Sequence, residues 1–208
     1  MHNGVVSDFL AIRRELTSLI AYDAYCNIFG STDSEHAAAL YISYLTKGAT
    51  KDAWEDEYSL HEMHDALIRT IVQIMELQHK ILGHMARPNS LNFCVTDGRR
   101  MVATRFRNHN SQSPPSLYWS EFAGRTLNTK FEGHPDGPQK KNRQATFGPQ
   151  TRIGAHAIIA SEPTTFDEKE WHLINRNCAL TVDEFGTELE VPITYDEKLN
   201  AKDPVKNT

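Results

Sequence analysis

Apolar residues recur at three- and four-residue intervals in three stretches of the first half of the chain. This pattern predicts one helix that begins after Ser7, a second over 32–45 and a longer third over 59–87. The second and third begin with a threonine or serine three residues ahead of a glutamate, which is the capping-box arrangement. Ser7 or Asp8 is expected to cap the first helix.

Beyond residue 90 the pattern changes to short runs rich in β-branched and aromatic residues. The runs over 92–96 and 101–106 flank Asp97-Gly98, a dipeptide typical of tight turns, and therefore predict a hairpin. Further strands are predicted over 116–122, 154–160, 178–182 and 188–194. Helices followed by hairpin-joined strands indicate an α+β fold with mainly antiparallel sheets.

The composition fits one good-sized domain or a large piece of one. The chain has 208 residues, of which 39% are hydrophobic, enough to form a substantial core. A stretch over about 128–150 is rich in Pro, Gly and polar residues, which predicts an exposed loop. The residues 198–208 form a polar tail, so the domain is assigned to 1–197.

The net charge and the cysteines narrow the class of function. A formal charge of −5 gives no general attraction to nucleic acid or to anionic membranes, which favours a small-molecule substrate. The sequence shows neither a signal peptide nor an apolar run long enough to span a bilayer, so we expect a cytoplasmic protein. The cysteines are Cys26, Cys94 and Cys178, and their wide spacing favours reduced thiols over a zinc site or a redox dithiol.

His61 and His64 are the residues to weigh as metal ligands. They lie three apart with Glu62 between them, but the spacing is not that of a His-Glu-x-x-His motif, and the sequence marks no third ligand. A role at the surface is therefore favoured, and no metal site is predicted.

The segment His2-Asn3-Gly4, just ahead of the first helix, has the groups needed to stabilise a negative charge. A glycine can adopt an unusual backbone angle and turn its amide outward, and an asparagine beside it offers a side-chain NH2 group. Two such donors can form an oxyanion hole. Asn-Gly is also a common turn, so the dipeptide alone leaves both interpretations open.

A second motif, Thr32-Asp33-Ser34-Glu35, opens the second helix, and further segments follow in a fixed order. These are the hairpin over 91–98, Pro114-Pro115-Ser116-Leu117-Tyr118 and Ser161-Glu162-Pro163. The ordered set resembles the class II glutamine amidotransferases, a family of N-terminal-nucleophile hydrolases. Within that family the later segments resemble the amidotransferase-type subunit of the fungal glutathione-degrading complex.

The resemblance implies a fold, a reaction and a set of site residues. The fold would be an αββα sandwich, here incomplete, and the reaction would cleave the γ-glutamyl amide bond of glutamine or glutathione. The Asn3 side chain and the Gly4 amide would form the oxyanion hole, and Asp33 would bind the α-amino group of the substrate. The local sequence alone also allows a solvent-facing Asp33 that only complements the helix dipole. The family implies no cofactor and a metallopeptidase-like partner subunit.

One part of the family pattern is missing. Intact members begin with a nucleophilic cysteine, and an arginine ahead of His-Asn-Gly holds the substrate carboxylate; both would precede Met1. We therefore expect a truncated, inactive amidotransferase domain, in which Asn3 and Asp33 lie near one another and line a pocket. The alternative is a non-catalytic interaction module retained as a subunit of a peptidase complex.

Overall fold

The computed structural model describes residues 1–121, 157–165 and 168–202. The helices are α1 (Phe9–Ser18), α2 (Tyr22–Cys26), α3 (Asp33–Leu45) and α4 (Leu60–Leu82). The strands are β1 (His2–Val5), β2 (Ser90–Thr96), β3 (Met101–Arg105), β4 (Tyr118–Ser120), β5 (Ile158–Ala160), β6 (His172–Leu173), β7 (Cys178–Val182) and β8 (Glu188–Pro192). The predicted loop at about 128–150 lies outside the described residues.

The strands form two antiparallel sheets. The larger sheet has the order β1-β2-β3-β7-β8, and the smaller has the order β5-β4-β6. The predicted hairpin is confirmed as β2 and β3, with Thr96 opposite Met101 around the turn. The α+β class and the antiparallel sheets are thus as predicted.

Two separate cores place the larger sheet in the middle of the described layers. On one side, apolar residues of α1, α3 and α4 pack against Leu91, Phe93 and Val102 of the sheet. On the other side, Ala103 and Leu180 pack towards the smaller sheet. Because side chains alternate along a strand, β2 sends odd-numbered residues to the helices and even-numbered residues to the space between the sheets.

The helix caps decide where the helical layer begins. Ser59 and Glu62 form the predicted capping box of α4, and the Thr32 side chain accepts a hydrogen bond from the Glu35 amide at the start of α3. The expected side-chain cap of α1 is wrong. Asp8 stands at the N-cap position in a left-handed conformation without a capping bond, because its carboxylate instead binds Arg87, at 2.7 Å from Nε.

The segment His2-Asn3-Gly4 is a strand rather than the turn that the Asn-Gly dipeptide also allowed, since it forms the body of β1 and pairs with β2. The reason for a glycine at position 4 is also not the unusual backbone angle that was expected. Gly4 has no positive φ, but a Cβ at this position would lie 1.9 Å from the carbonyl oxygen of Ser90. The glycine is therefore required by the close approach of two backbones.

The pattern did not predict α2 or β6, which are five and two residues long. Elements this short carry too few residues to show a period. The polar tail begins with ordered structure. Ala201 is buried, and its amide binds the carbonyl oxygen of Asn108 at 2.9 Å.

Candidate active site

The amide of Gly4 points to the open edge of the larger sheet. Met1 and Cys94 exchange both backbone hydrogen bonds. Because the bonding direction alternates along an antiparallel strand, the backbone groups of every second residue from Met1 onward face β2. Gly4 lies between these residues, so its amide points away from β2. Its partner Leu91 donates its own amide to Phe106, on the far side of β2. Within the described sheet β1 is an edge strand, and Gly4 is exposed, so a ligand can reach this amide.

The carboxylate of Asp33 lies at the same edge of the sheet. Its Oδ2 accepts a hydrogen bond of 2.7 Å from the amide of Val6, which follows β1 and points in the same direction as the Gly4 amide. Its Oδ1 accepts from the amide of Ser34 at 2.8 Å. Asp33 is half-buried, so it is not the solvent-facing helix residue that the local sequence also allowed. The start of α3 is thereby fixed to the end of β1.

Asn3 lies on the face of β1 that is directed between the two sheets. Its Nδ2 donates a hydrogen bond of 2.6 Å to Oγ of Ser161, which directly follows β5 in the smaller sheet. Its neighbour across the strands is the fully buried Asn92, whose Nδ2 donates to the carbonyl oxygens of Pro115 and Ser116 at 3.2 Å each. An amide NH2 group has two hydrogens, so Asn3 keeps one donor for a ligand.

His2 faces the helices and connects β1 to the start of α3. Its Nδ1 lies 2.8 Å from Oγ of Ser34, and its ring packs against that of Phe93 with centroids 4.5 Å apart. Burial lowers the pKa of the imidazole, and this effect exceeds the opposing attraction of Asp33. A neutral histidine is therefore favoured beside the carboxylate.

The expectation that Asn3 and Asp33 line one pocket stays a prediction. A cavity of about 270 Å³ beside β1 lies on the helix side and is lined by His2, Ser34 and Phe93 among others. Strand alternation puts the Asn3 side chain on the opposite face from His2, so Asn3 does not face this cavity. Asn3, Gly4 and Asp33 instead surround the exposed edge of β1.

The spacing along this edge suits a γ-glutamyl group. The amides of Gly4 and Val6 are two residues apart, which is about 7 Å in a strand, and the Asp33 carboxylate is bonded to the second of them. The scissile carbonyl carbon and the α-nitrogen of glutamine are about 5 Å apart when the side chain is extended. An oxyanion at Gly4 and an ammonium at Asp33 can thus belong to one substrate molecule.

The cysteines of this chain are poor candidates for the nucleophile. All three are free, and Cys26 lies on the exposed helix α2. Burial raises the pKa of the Cys94 thiol, and burial with the nearby Glu190 raises that of Cys178 to about 11. Both shifts oppose formation of the thiolate that would attack an amide.

The histidines that were weighed as metal ligands are engaged by a carboxylate. His61 Nε2 and His64 Nδ1 lie 3.1 Å and 3.0 Å from the two oxygens of Asp65. Asp65 is thus a third possible ligand beside the two histidines, one that the sequence did not mark.

Sequence reasoning proposed Asn3, Gly4 and Asp33 as site residues but did not predict the contacts that hold them. Ser161 and Ser34 were noted only as letters of motifs, and His2 only as the start of one. A hydroxyl that supports a distant side chain leaves no period or spacing in the sequence. Motif membership was the one available signal.

The chain is similar to known proteins both in sequence and in structure. The chain is 32% identical over 187 residues to "Probable glutamine amidotransferase DUG3" of Saccharomyces cerevisiae, a match that covers 88% of this chain and 48% of that protein. The chain thus spans about half the length of this curated relative. No family model matches the chain.

Among solved structures, the chain is similar to a glutamine aminotransferase class-II domain protein from Silicibacter pomeroyi. The TM-score is 0.60 at 23% sequence identity, over 94% of this chain and 67% of that one. At this identity the likeness concerns the fold. Among the described residues, the helices are all too short or too polar to cross a bilayer.

Proposed function

The chain belongs to the class II glutamine amidotransferase family, and we propose that it forms the greater part of a domain that hydrolyses a γ-glutamyl amide bond. The observation that carries the proposal is the common edge of β1, where the exposed Gly4 lies two residues before Val6, whose amide binds the Asp33 carboxylate. The proposed substrates are glutamine and glutathione, which share the γ-glutamyl end. Water is consumed, and glutamate is released together with ammonia or cysteinylglycine.

Each site residue has a separate task in this reaction. Asn3 Nδ2 and the Gly4 amide stabilise the oxyanion that forms when the amide carbonyl is attacked. Asp33 holds the α-ammonium group by charge-assisted hydrogen bonds and so fixes the substrate in register with the oxyanion hole. The nucleophile is the amino-terminal cysteine of the family, which this sequence does not contain.

The narrower resemblance extends the proposal to glutathione breakdown in the cytoplasm, together with a metallopeptidase-like partner subunit. Co-purification from a cell that expresses both proteins would test the partner. No observation on the described residues favours the alternative of a non-catalytic module.

The test uses an extended protein, meaning this chain with an amino-terminal segment that carries the cysteine and arginine of the family joined ahead of Met1. We expect it to release ammonia from glutamine or cysteinylglycine from glutathione. The matched control has the added cysteine replaced by alanine. Absence of both products from a folded extended protein, or equal release by the control, would contradict the proposal.

A further inference from the structure

A row of three side chains crosses the larger sheet next to the candidate oxyanion hole. Continued past Thr104, the register of β2 and β3 places Arg107 opposite Ser90, and Ser90 is the partner of Val5 on β1. Even-numbered residues of β2 face the space between the two sheets. Since residues opposite one another share a face, the row of Val5, Ser90 and Arg107 lies on the same face as Asn3.

The guanidinium of Arg107 is held in this row by neutral groups. Its Nη1 donates to Oγ of Ser90 at 2.5 Å, and its Nε and Nη2 donate to Oε1 of Gln112 at 3.1 and 2.5 Å. None of the ion pairs in the described part of the chain includes Arg107. Each terminal nitrogen carries two hydrogens, so these contacts leave one on Nη1 and one on Nη2, the number that a bidentate carboxylate accepts.

A comparison with Arg105, on the same face, shows that Arg107 is open to a ligand. Arg105 is buried and donates from all three nitrogens to backbone carbonyl oxygens, which makes it part of the structural framework. Arg107 is only half-buried, and Val5 at the edge of its row is exposed. An anion can therefore enter over Val5 and reach a guanidinium that is already oriented.

The distance from Arg107 to the oxyanion hole suits the cysteinylglycine part of glutathione. The guanidinium is bonded to Ser90, which is the diagonal neighbour of Asn3, and diagonal neighbours on one face are about 7–8 Å apart. The γ-carbonyl carbon and the glycine carboxyl carbon of glutathione are two residues apart, which is about 7 Å in an extended chain. A carbonyl at Asn3 and a carboxylate at Arg107 can thus belong to one molecule, whereas glutamine ends at its amide nitrogen.

We propose that Arg107 binds the glycine carboxylate of glutathione, so that the site selects glutathione over γ-glutamyl amides that lack this carboxylate. The inference rests on the proposed function and deepens it, because it assigns a specificity-determining residue for the leaving group. The glutamyl part would lie along the edge of β1 between Gly4 and Asp33, and the cysteinylglycine part over the face between the sheets.

The experiment compares three substrates that release the same product, glutamate, from the extended protein. They are glutathione, γ-glutamylcysteinylglycinamide, in which a neutral amide replaces the glycine carboxylate, and glutamine. We expect kcat/KM for glutathione to exceed that for the glycinamide analogue about 10- to 100-fold, the effect of one charge-assisted bidentate contact.

The variants are Arg107→Met, which removes the charge and keeps much of the apolar stem, and Arg107→Lys, which keeps the charge without the fork. Arg107→Met should lower kcat/KM for glutathione about 10- to 100-fold and change the values for the other two substrates less than about twofold. Arg107→Lys should lie between Arg107→Met and the unsubstituted protein. Arg14→Met, on the exposed side of α1, is the matched control and should change none of the values. If Arg107→Met does not fold, Arg107→Gln carries the same prediction.

The outcomes separate this inference from the proposed function. If the unsubstituted protein releases glutamate from none of the substrates, the proposed function fails and the inference fails with it. Glutamate release without a preference for glutathione over its glycinamide analogue, or a preference that survives in the folded Arg107→Met variant, would overturn the inference alone. An equal fall for all three substrates would also overturn it, because Arg107 would then serve the fold or the glutamyl part of the substrate.

Discussion

Asn3 donates a hydrogen bond of 2.6 Å from Nδ2 to Oγ of Ser161, and this bond joins the larger sheet to the smaller one at the open edge. The hydroxyl fixes one hydrogen of the amide, so the second has a defined direction. Asn3 can therefore act as an oriented donor before any substrate is bound, which is the condition under which an oxyanion hole is effective.

Ser161→Ala should lower kcat of the extended protein about tenfold with little change in KM, because a donor that is free to rotate stabilises the transition state less well. Ser161→Thr should restore most of the activity, since it keeps the hydroxyl. Ser18→Ala, at the exposed end of α1, is the control for a serine substitution that is remote from the site. An unchanged kcat in a folded Ser161→Ala variant would contradict the role of Ser161.

Gly4→Ala should destabilise the protein, because the added Cβ would lie 1.9 Å from the Ser90 carbonyl oxygen and force β1 away from β2. Overpacking of this kind costs about 2–3 kcal/mol. Thermal unfolding should show a fall of roughly 5–10 °C in Tm. Val5→Thr, at an exposed position of the same strand, should have a small effect. Equal Tm values for Gly4→Ala and Val5→Thr would contradict the close approach of the strands.

The stability of the fold should depend on pH through His2. Burial lowers its pKa in the folded state, so between that pKa and the ordinary value of about 6.5 the unfolded chain binds more protons. The contribution of neutral His2 to the free energy of unfolding is complete above pH of about 6.5 and falls as the pH is lowered. His2→Asn should flatten this dependence below pH of about 6.5. Urea unfolding at a series of pH values measures the difference, and parallel curves for the two proteins would contradict it.

Much of the fold could be predicted from patterns in the sequence, whereas the candidate site could be predicted only in part. The helix over 60–82 carries enough repeats of its apolar face to be recognised, and Asp97-Gly98 marks its hairpin. β1 was not predicted as a strand because its four residues include Asn-Gly, a pair that usually breaks strands, and because its partner β2 lies far away in the sequence. The family motifs identified Gly4, but the clash with Ser90 that requires a glycine depends on tertiary contact.

The chain as given should release neither ammonia from glutamine nor glutamate from glutathione. The raised pKa values of the Cys94 and Cys178 thiols oppose attack by either sulfur, and Cys26 is exposed on α2. A coupled glutamate dehydrogenase assay on the purified chain measures this directly. Turnover that persists after replacement of all three cysteines by serine would contradict the mechanism based on a cysteine nucleophile.

The central claim is that Asn3 serves the transition state and Asp33 serves the substrate ammonium, and steady-state kinetics of Asn3→Ala and Asp33→Asn in the extended protein test it most directly. For glutamine, we predict that Asn3→Ala lowers kcat about 100-fold with KM little changed. Asp33→Asn should raise KM about 10- to 100-fold, because the ammonium loses its charged partner before and during the reaction. Folded variants that both keep kcat and KM close to the unsubstituted values would contradict the account.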